Sequence, residues 1–254
     1  MTSPASIRAL PLLGVLCALA ALCLPAAGRS NGASPSVDAR ALILQTTTLT
    51  TPRMSHWAAV VRRVDVHRLP TVSSRVVTRL DTTTGDGTQN IVLALTGAKV
   101  KGGGTWYLVR LAILPNNSTG WVPRSALGTL YIVHTHLYVN RETQTAILQR
   151  NGRTIFTTRV GVGRPYWPTP PGQFYIRDKL VDFHNPFYGP LAFGTSARSA
   201  VLTDWPGGGY IGIHGTNEPQ LIPGRISHGC IRVPNEKIVA LAKLMPVGTP
   251  VTVS

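Results

Sequence analysis

The chain from about Met54 to Gly128 consists of short runs in which apolar and polar residues alternate. Clusters of glycine, proline and asparagine separate the runs. Alternation that is rich in β-branched and aromatic residues and bounded by such clusters indicates β-strands. Five or six runs follow one another here, which predicts a small all-β barrel. The clearest are WAAVVRRVDVHRL (57–69), IVLALTGAKV (91–100), TWYLVRLAI (105–113) and WVPRSAL (121–127).

A second β-rich unit begins near Leu130. The dipeptide Asn151-Gly152 separates two of its alternating runs and predicts a tight hairpin turn. The segment NEKIVALAKLM (235–245) has apolar residues at helical spacing and predicts one late helix, with Asn235 as its N-cap. The final PVGTPVTV (246–253) predicts a closing edge strand.

Two pairs of residues in these units could bind a ligand, but we prefer a structural role for both pairs. Trp106 and Trp121 are expected in the core of the first unit, because buried tryptophan dominates small cores. His134 and His136, two residues apart, would share one strand face. A solvated strand face is the preferred interpretation, because no third metal ligand is near in sequence.

The N-terminus has the pattern of an export signal. A short cationic start is followed by the apolar run ALPLLGVLCALAALCLPAAG, which ends in small residues. This predicts a signal peptide over residues 1–28; an uncleaved membrane anchor is the alternative, because the run is near spanning length. Residues 29–52, rich in serine, threonine, proline and glycine, are interpreted as a linker.

Charge and cysteine content narrow the function. The formal net charge is +15, and in an exported protein such a field attracts anionic wall polymers or lipid headgroups, although it equally provides solubility. Nucleic acid is a poor partner, because the basic residues are scattered. Two of the three cysteines lie in the signal, so Cys230 is alone in the mature chain. An unpaired thiol in an oxidising compartment needs a chemical reason to persist.

The residues near Cys230 provide such a reason. A thiol becomes a nucleophile only as the thiolate, which requires a base or a positive field. His214 could supply the base if two adjacent strands bring YIGIHG and SHGC together, and His228 and Arg232 add donors or charge. Gly229 would allow close approach of an acyl group and point its N–H, with that of Cys230, at an oxyanion. These residues predict acyl transfer through a thioester.

The string HGTNEPQLIPGRISHGCIRVPN (214–235) closely resembles the signature of the L,D-transpeptidases, the YkuD-type catalytic domain. The resemblance covers about Leu130 to Ser254. The earlier stretch WYLVRLAILPNNSTGWVPRSAL resembles bacterial SH3-like domains, whose usual role is to bind wall peptides or to act as spacers. Together the resemblances imply a mainly β protein: an SH3-like barrel over 53–128, then a transpeptidase β-sandwich with one late helix over 129–254.

The transpeptidase resemblance also implies roles for individual residues. Cys230 would attack the carbonyl of the third stem-peptide residue and release terminal D-alanine, with His214 as the base. The Gly215 carbonyl would orient the imidazole, and His228 and Gly229 would shape the catalytic turn. The substrate-binding residues would be Ser227, Arg232 and Tyr210. Many members carry asparagine at the position of Arg232, which leaves the acceptor preference open.

The implied activity is formation of cross-links between third-position residues of peptidoglycan, with no metal and no organic cofactor. It would place the protein in the cell wall or periplasmic space, in wall biogenesis and cell shape. Alternatives are an endopeptidase or carboxypeptidase of the same fold, a sortase-like transpeptidase, and a wall-binding protein without catalysis. A zinc hydrolase using His214, His228 and Cys230 is a further alternative. His184 is expected in a loop that lines the substrate cleft.

Overall fold

The computed structural model describes residues 42–181, 185–202 and 209–254. The predicted signal peptide, the first part of the predicted linker and His184 lie outside these ranges. Within them, no helix has the length and apolar character needed to span a bilayer. The described residues form two sheets and one α-helix, which confirms the mainly β class and the late helix.

The first sheet has eight strands in the spatial order β4-β3-β7-β6-β5-β2-β8, with β1 paired to β5. The pairings found among the described residues do not join β4 to β8, and the SH3-like assignment stays a prediction. Trp106 and Trp121 are buried together with Ala98 and Val100, as expected. The strands are β1 (Ile43–Thr48), β2 (Ser55–Ala59), β3 (Val64–His67), β4 (Val76–Leu80), β5 (Ile91–Val100), β6 (Thr105–Arg110), β7 (Thr119–Pro123) and β8 (Tyr131–Val133).

Two strands of the first sheet lie outside its expected bounds of 53–128. The described part of the predicted linker forms strand β1, which pairs with β5 and packs Ile43 against the tryptophan cluster. The composition misled because threonine is common in both linkers and strands. The first sheet also extends past residue 128, since β8 pairs with β2.

The second sheet has ten strands in the order β11-β10-β9-β18-β13-β14-β15-β17-β12-β16. Its hairpin between β10 and β11 turns at Asn151 and Gly152, both with positive φ, as predicted. The strands are β9 (Thr135–Asn140), β10 (Thr145–Arg150), β11 (Arg153–Arg159), β12 (Gly161–Gly163), β13 (Gly172–Val181), β14 (Leu191–Arg198), β15 (Tyr210–His214), β16 (Gly224–Ser227), β17 (Ile231–Arg232) and β18 (Pro250–Val253).

The second sheet folds around a single core. Strand β13 pairs with β18 through its first half and with β14 through its second, and so joins the two halves of the sheet. Buried residues from both halves, including Leu148, Phe174, Phe193 and Ile213, belong to one apolar cluster. This arrangement is the expected β-sandwich, in which the inner faces of two layers share a core.

The helix α1 (Asn235–Leu244) covers one end of this core with Ile238 and Leu241. The prediction that Asn235 caps the helix through its side chain is wrong. Pro234 occupies the N-cap position, and Asn235 Oδ1 instead accepts a hydrogen bond from the Thr216 N–H at 2.8 Å. The asparagine therefore ties the start of the helix to the loop that follows β15.

The predicted strand pair that carries the two motifs is present in the second sheet, where β15 and β17 are neighbours. Strands β15 and β17 run parallel, with Ile213 opposite Ile231 and His214 opposite Arg232. Cys230 comes directly before β17 and His214 ends β15. This register places Cys230 level with Gly212, two residues before His214 on the neighbouring strand.

Candidate active site

The predicted site residues gather around one cavity of about 540 Å³ in the second sheet. Gly215 and Gly229 are not among its lining residues and act through their backbones instead. The six predicted residues that line it are Tyr210, His214, Ser227, His228, Cys230 and Arg232.

The Cys230 thiol is half-buried and borders this cavity. Burial raises the pKa of the Cys230 thiol above its usual range, because the charged thiolate loses water. The Gly212 N–H, 3.3 Å from Sγ, opposes this by donating a hydrogen bond, and the charge of Arg232 acts in the same direction. The resting thiol is therefore protonated at neutral pH.

The His214 side chain is only 4% exposed, and its ring has a defined tautomer. Its Nδ1 lies 2.6 Å from the Gly215 carbonyl oxygen. A carbonyl can only accept a hydrogen bond, so Nδ1 carries the proton and Nε2 has a free lone pair. Burial lowers the pKa of His214 to about 4, so the neutral ring predominates near neutral pH. Tyr188 packs its ring against the imidazole, with centroids 4.7 Å apart.

Gly212 brings the sulfur and the imidazole together. A methyl group at this glycine would lie 3.9 Å from both Cys230 Sγ and His214 Cδ2. The two side chains therefore flank the same point of β15. Gly212 and His214 are two residues apart and so lie on one face of the strand. The strand places a thiol and a neutral base at one position of the cavity.

The turn before Cys230 is held by hydrogen bonds to its backbone. Ser227 Oγ donates to the Cys230 carbonyl at 2.6 Å and accepts from the Gly229 N–H at 3.1 Å. We expected the Gly229 N–H to face an oxyanion. In the structure it donates its hydrogen bond to Ser227 Oγ instead. Ser227 is 1% exposed, and both hydrogen bonds of its hydroxyl are made within this turn. This arrangement favours a role in positioning the turn over direct substrate binding.

Gly229 is required for a reason other than the predicted substrate approach. Its φ is +115°, in a region that side-chain-bearing residues rarely adopt, and a Cβ would approach Ile211 Cδ1 at 2.8 Å. The space that a side chain would need is thus filled by the protein core. Glycine here permits the sharp turn that presents Cys230.

His228 and Arg232 make contacts within the protein. The His228 ring packs against Trp167, with centroids 4.4 Å apart. Arg232 Nη1 donates to Glu218 Oε2 at 2.8 Å, across the loop after β15. The resemblance implied substrate binding for Arg232, whereas in the structure its guanidinium is paired with a residue of the protein itself. The described residues include no group of three histidine, cysteine, aspartate or glutamate side chains that could hold a metal.

His134 and His136 are distant in sequence from this site, and only His136 differs from the solvated face that we expected. His134 is exposed and lies between β8 and β9. His136 is half-buried, stacks on Tyr138 with centroids 4.2 Å apart, and contacts Thr252 Oγ1 through Nε2 at 2.8 Å. Burial lowers the pKa of His136 to about 4.

Two residues that sequence inspection did not assign to the site support its backbone. Thr169 is buried; it accepts from the Gly163 N–H at 2.9 Å and donates to the Gly229 carbonyl at 2.7 Å. Asn235 fixes Thr216, next to the Gly215 carbonyl that orients His214. The prolines around Thr169 (WPTPP) indicate a rigid segment. They do not indicate its hydrogen-bond partner Gly229, which is 60 residues away.

Comparison with known proteins agrees with this geometry. The family model of the YkuD L,D-transpeptidase catalytic domain matches residues 134–253. A Bacillus subtilis (strain 168) protein named as an L,D-transpeptidase, YkuD, is 33% identical over 124 residues, which cover 49% of this chain and 68% of that protein. The chain belongs to the L,D-transpeptidase family. This confirms the transpeptidase resemblance seen in the sequence, and the matched residues contain all ten strands of the second sheet.

The chain is also similar to two further proteins over part of its length. The YqjB protein of Bacillus subtilis, also named as an L,D-transpeptidase, is 29% identical over 127 residues, covering 47% of this chain and 70% of that protein. Among solved structures, the catalytic domain of an Enterococcus faecium L,D-transpeptidase is 27% identical. That match covers 47% of this chain and 96% of the other, with a TM-score of 0.37. The matched L,D-transpeptidase domain starts after the first sheet, so the family assignment does not extend to that sheet.

Proposed function

We propose that the protein is a peptidoglycan L,D-transpeptidase that works through a thioester on Cys230. The observation that carries the proposal is the position of Cys230 and His214 on either side of Gly212, at the wall of one cavity. Membership of the family supports peptidoglycan stem peptides as the substrate. The matched family domain lies within the second sheet, and we assign catalysis to that sheet.

Acylation begins with a protonated thiol and a neutral imidazole. As Sγ bonds to the carbonyl carbon of the third stem residue, the thiol proton passes to His214 Nε2. Because the Gly215 carbonyl accepts from Nδ1, it stabilises the imidazolium that forms. The C–N bond to D-alanine then breaks, the proton on Nε2 goes to the leaving amine, and a thioester remains on Cys230.

The developing oxyanion needs a donor that the resting turn does not use. The Gly229 N–H is bound to Ser227 Oγ, so we assign this role to the main-chain N–H of Cys230. Ser227 and Thr169 hold the carbonyls of Cys230 and Gly229, which fixes the orientation of the intervening peptide groups. In this scheme Ser227 and Thr169 are positioning residues.

Deacylation repeats the chemistry with an incoming amine. The amine attacks the thioester carbonyl, gives its proton to His214 Nε2, and forms the new amide. The thiolate leaves and recovers a proton from the imidazolium. Attack by water in place of the amine would make the protein a hydrolase, the alternative that shares every residue of the site.

The direct test is the intact mass of the full-length protein after incubation with a carbapenem. We expect one adduct with the mass of the carbapenem on the native protein. The Cys230→Ala variant is the matched control and should remain unmodified while showing the same circular dichroism. An unmodified but folded native protein would contradict the proposal.

Product analysis separates transfer from hydrolysis. The native protein is incubated with a stem tetrapeptide in the presence and absence of an added amine, and D-alanine and new amide products are quantified. Amide formation that depends on the amine is expected. D-alanine release without any amide product would favour the carboxypeptidase, and binding to purified wall with neither product would favour a non-catalytic binding protein.

Two further assignments complete the proposed function. Residues 1–28 would direct export, which places the site where stem peptides are exposed. The first sheet would bind wall peptides or act as a spacer, in keeping with its sequence resemblance to SH3-like domains. The positive net charge would favour retention on anionic wall polymers.

A further inference from the structure

The peptide bond between Ile211 and Gly212 is hydrogen-bonded to a side chain at each of its ends. The Gly212 N–H donates to Cys230 Sγ at 3.3 Å, and the Ile211 carbonyl accepts from Thr195 Oγ1 at 2.5 Å. The C=O and N–H of one trans peptide point in opposite directions, so β15 directs the carbonyl toward β14 and the N–H toward β17. A single peptide group therefore joins the Thr195 hydroxyl to the sulfur.

An irregularity in strand pairing holds the Thr195 hydroxyl in this position. The register of β14 against β15 shifts between Gly194 and Arg198, where β14 has three residues opposite Ile211 alone. Such a bulge re-aims the side chains that it contains. Thr195 is 2% exposed, and its Oγ1 also accepts from the Ala197 N–H at 3.2 Å. The hydroxyl is thus fixed with its proton on the Ile211 carbonyl.

Hydrogen bonds that follow one another in a chain polarise one another. A bond to the Ile211 carbonyl draws electrons toward its oxygen and makes the Gly212 N–H a better donor. A thiol sulfur is a weak acceptor, whereas a hydrogen bond to a charged acceptor is roughly twice as strong as a neutral one. The contribution of Thr195 therefore grows when the Cys230 thiol loses its proton.

We propose that Thr195 is a positioning residue that stabilises the Cys230 thiolate through the Ile211–Gly212 peptide. When the thiol proton passes to His214, the negative charge on Sγ faces the Gly212 N–H, and the Thr195 hydroxyl strengthens that donor. The same contact stabilises the thiolate as it leaves the thioester during deacylation. The role in catalysis rests on the proposed function, whereas the effect on the thiol follows from these contacts alone.

A second threonine makes the same kind of bond to another peptide of the site. Thr169 Oγ1 donates to the Gly229 carbonyl at 2.7 Å, and the N–H of that peptide belongs to Cys230. In the proposed mechanism this N–H binds the oxyanion of the substrate. The two threonines thus support different charges, the thiolate for Thr195 and the oxyanion for Thr169, and their variants should differ accordingly.

Other groups also act on the thiol. Burial raises the pKa of Cys230, while the Gly212 N–H and the charge of Arg232 lower it. Burial lowers the pKa of His214 to about 4, so the imidazole is neutral in the range where the thiol titrates. The variants below leave each of these groups in place. They also keep the other titratable or charged side chains that line the cavity, which are Asp86, Arg177, Asp178, Tyr188, Tyr210 and His228.

The test is the rate at which iodoacetamide alkylates Cys230 at a series of pH values, followed by mass spectrometry of the peptide that contains this residue. The reagent reacts with the thiolate and needs no stem peptide, so substrate binding does not enter. In Thr195→Val we expect the midpoint of the profile to move to higher pH. At neutral pH alkylation should be about two- to fivefold slower, because one bond of a chain changes the next by a modest fraction.

Two features of the profile separate this role from a loss of structure. A thiolate of higher pKa is intrinsically more nucleophilic, so the alkylation rate of Thr195→Val above its midpoint should not fall below the native plateau. Thr195→Ser keeps the hydroxyl and should restore the native midpoint. If Thr195→Val does not fold, Thr195→Ala removes the same hydroxyl and should give the same displacement of the midpoint.

Thr249→Val is the matched control for loss of a buried hydroxyl. Thr249 is buried and donates to the Pro246 carbonyl at 2.7 Å, but it does not line the cavity. Its replacement should lower the free energy of unfolding and leave the alkylation midpoint in place. Thr169→Val should also keep the native midpoint while it slows carbapenem acylation. A midpoint that stays native in folded Thr195→Val, or that moves equally in all three valine variants, would overturn the proposal.

Carbapenem acylation of the same proteins separates the two proposals. If the midpoint moves in Thr195→Val but native protein forms no carbapenem adduct, the transpeptidase proposal fails alone. If native protein forms the adduct but its alkylation profile superimposes on that of folded Thr195→Val, the role of Thr195 fails alone.

Discussion

Two histidines of the second sheet have similar surroundings and different chemical capacity. Burial lowers the pKa of both His136 and His214 to about 4, and both rings pack against a tyrosine. His136 contacts the Thr252 hydroxyl through Nε2, and its Nδ1 is buried without a partner. His214 donates from Nδ1 to the Gly215 carbonyl, which leaves Nε2 as the unprotonated ring nitrogen. The two histidines therefore differ in which ring nitrogen is hydrogen-bonded to the protein, while the pKa of each ring is lowered alike.

The backbones around the two rings are also held differently. His136 lies within β9, which is paired on both sides by β10 and β18. His214 ends its strand beside a glycine-rich turn, where Ser227, Thr169 and Asn235 hold the backbone through their side chains. Regular strand pairing leaves the peptide groups no freedom to face a ligand, whereas side-chain bonds at a turn can leave one N–H for the substrate.

Replacing each histidine is expected to give the largest contrast. His214→Gln should slow carbapenem acylation by about 10²- to 10⁴-fold, the usual contribution of a general base. His136→Gln should leave the acylation rate within about twofold and lower the free energy of unfolding by about 1 kcal/mol, through loss of one hydrogen bond. Stopped-flow acylation and urea unfolding measure the two effects. Similar acylation rates in the two variants would remove the distinction.

The turn that holds Cys230 gives a smaller expected effect. Thr169→Val keeps the shape but removes the hydroxyl that joins Gly163 to Gly229, and should cost about 1–3 kcal/mol of unfolding free energy. We expect acylation to slow by about tenfold, since a misplaced turn weakens oxyanion stabilisation. The measurements are urea unfolding and the acylation rate.

The controls for this substitution use the other histidine. Thr169→Ser retains the hydroxyl and should keep the native acylation rate. Thr252→Val removes the hydroxyl beside His136 and should change stability without changing acylation. A normal acylation rate in folded Thr169→Val would show that the turn does not depend on this bond.

The smallest effect is the dependence of stability and rate on pH. Both histidines have folded-state pKa values of about 4, below the unfolded value of about 6.5, so the unfolded chain binds protons first as the pH falls. The free energy of unfolding should therefore decrease between about pH 6.5 and pH 4. Each histidine-to-glutamine variant should reduce this slope. Urea unfolding at a series of pH values measures it.

The acylation rate should respond to one histidine alone. Because His214 stays neutral above its pKa of about 4, the rate should be nearly constant near neutral pH and fall in acid. The same acid limb is expected in His136→Gln. An acid limb near the ordinary histidine pKa of about 6.5 would indicate a solvated base and contradict the buried geometry.

The sequence motif was sufficient to select the cysteine, the histidine and the carbonyl that the proposed mechanism uses. A lone cysteine near two histidines indicated acyl transfer, and the family signature assigned His214, Gly215 and Cys230, which the structure brings to one place. The alternating pattern predicted most strands and the hairpin at Asn151. Composition did not predict strand β1 or the N-cap of α1. Threonine and asparagine occur in several kinds of local structure, and the tertiary contacts of each residue decide which one forms.

The residues that sequence inspection missed share one feature: their partners are distant along the chain. Thr169 bonds Gly229, and Asn235 bonds Thr216 rather than its own helix. Arg177 and Asp178 both line the cavity although they are consecutive in β13, and the register of β13 shifts at this point without a local signature in the sequence. Periodicity assigns a residue to a face, and a one-residue shift of register changes that face.

The amino-acid sequence by itself determined which groups are available at the candidate site: the Cys230 thiol, the His214 imidazole, and a glycine that permits the turn before the cysteine. The tertiary structure decided how each group is used. In the folded chain the Gly229 N–H donates to Ser227 Oγ, the Arg232 guanidinium pairs with Glu218, and the Gly212 N–H donates to Cys230 Sγ. Hydrogen bonds are satisfied by whichever group the fold brings within about 3 Å, and only the folded chain sets those distances.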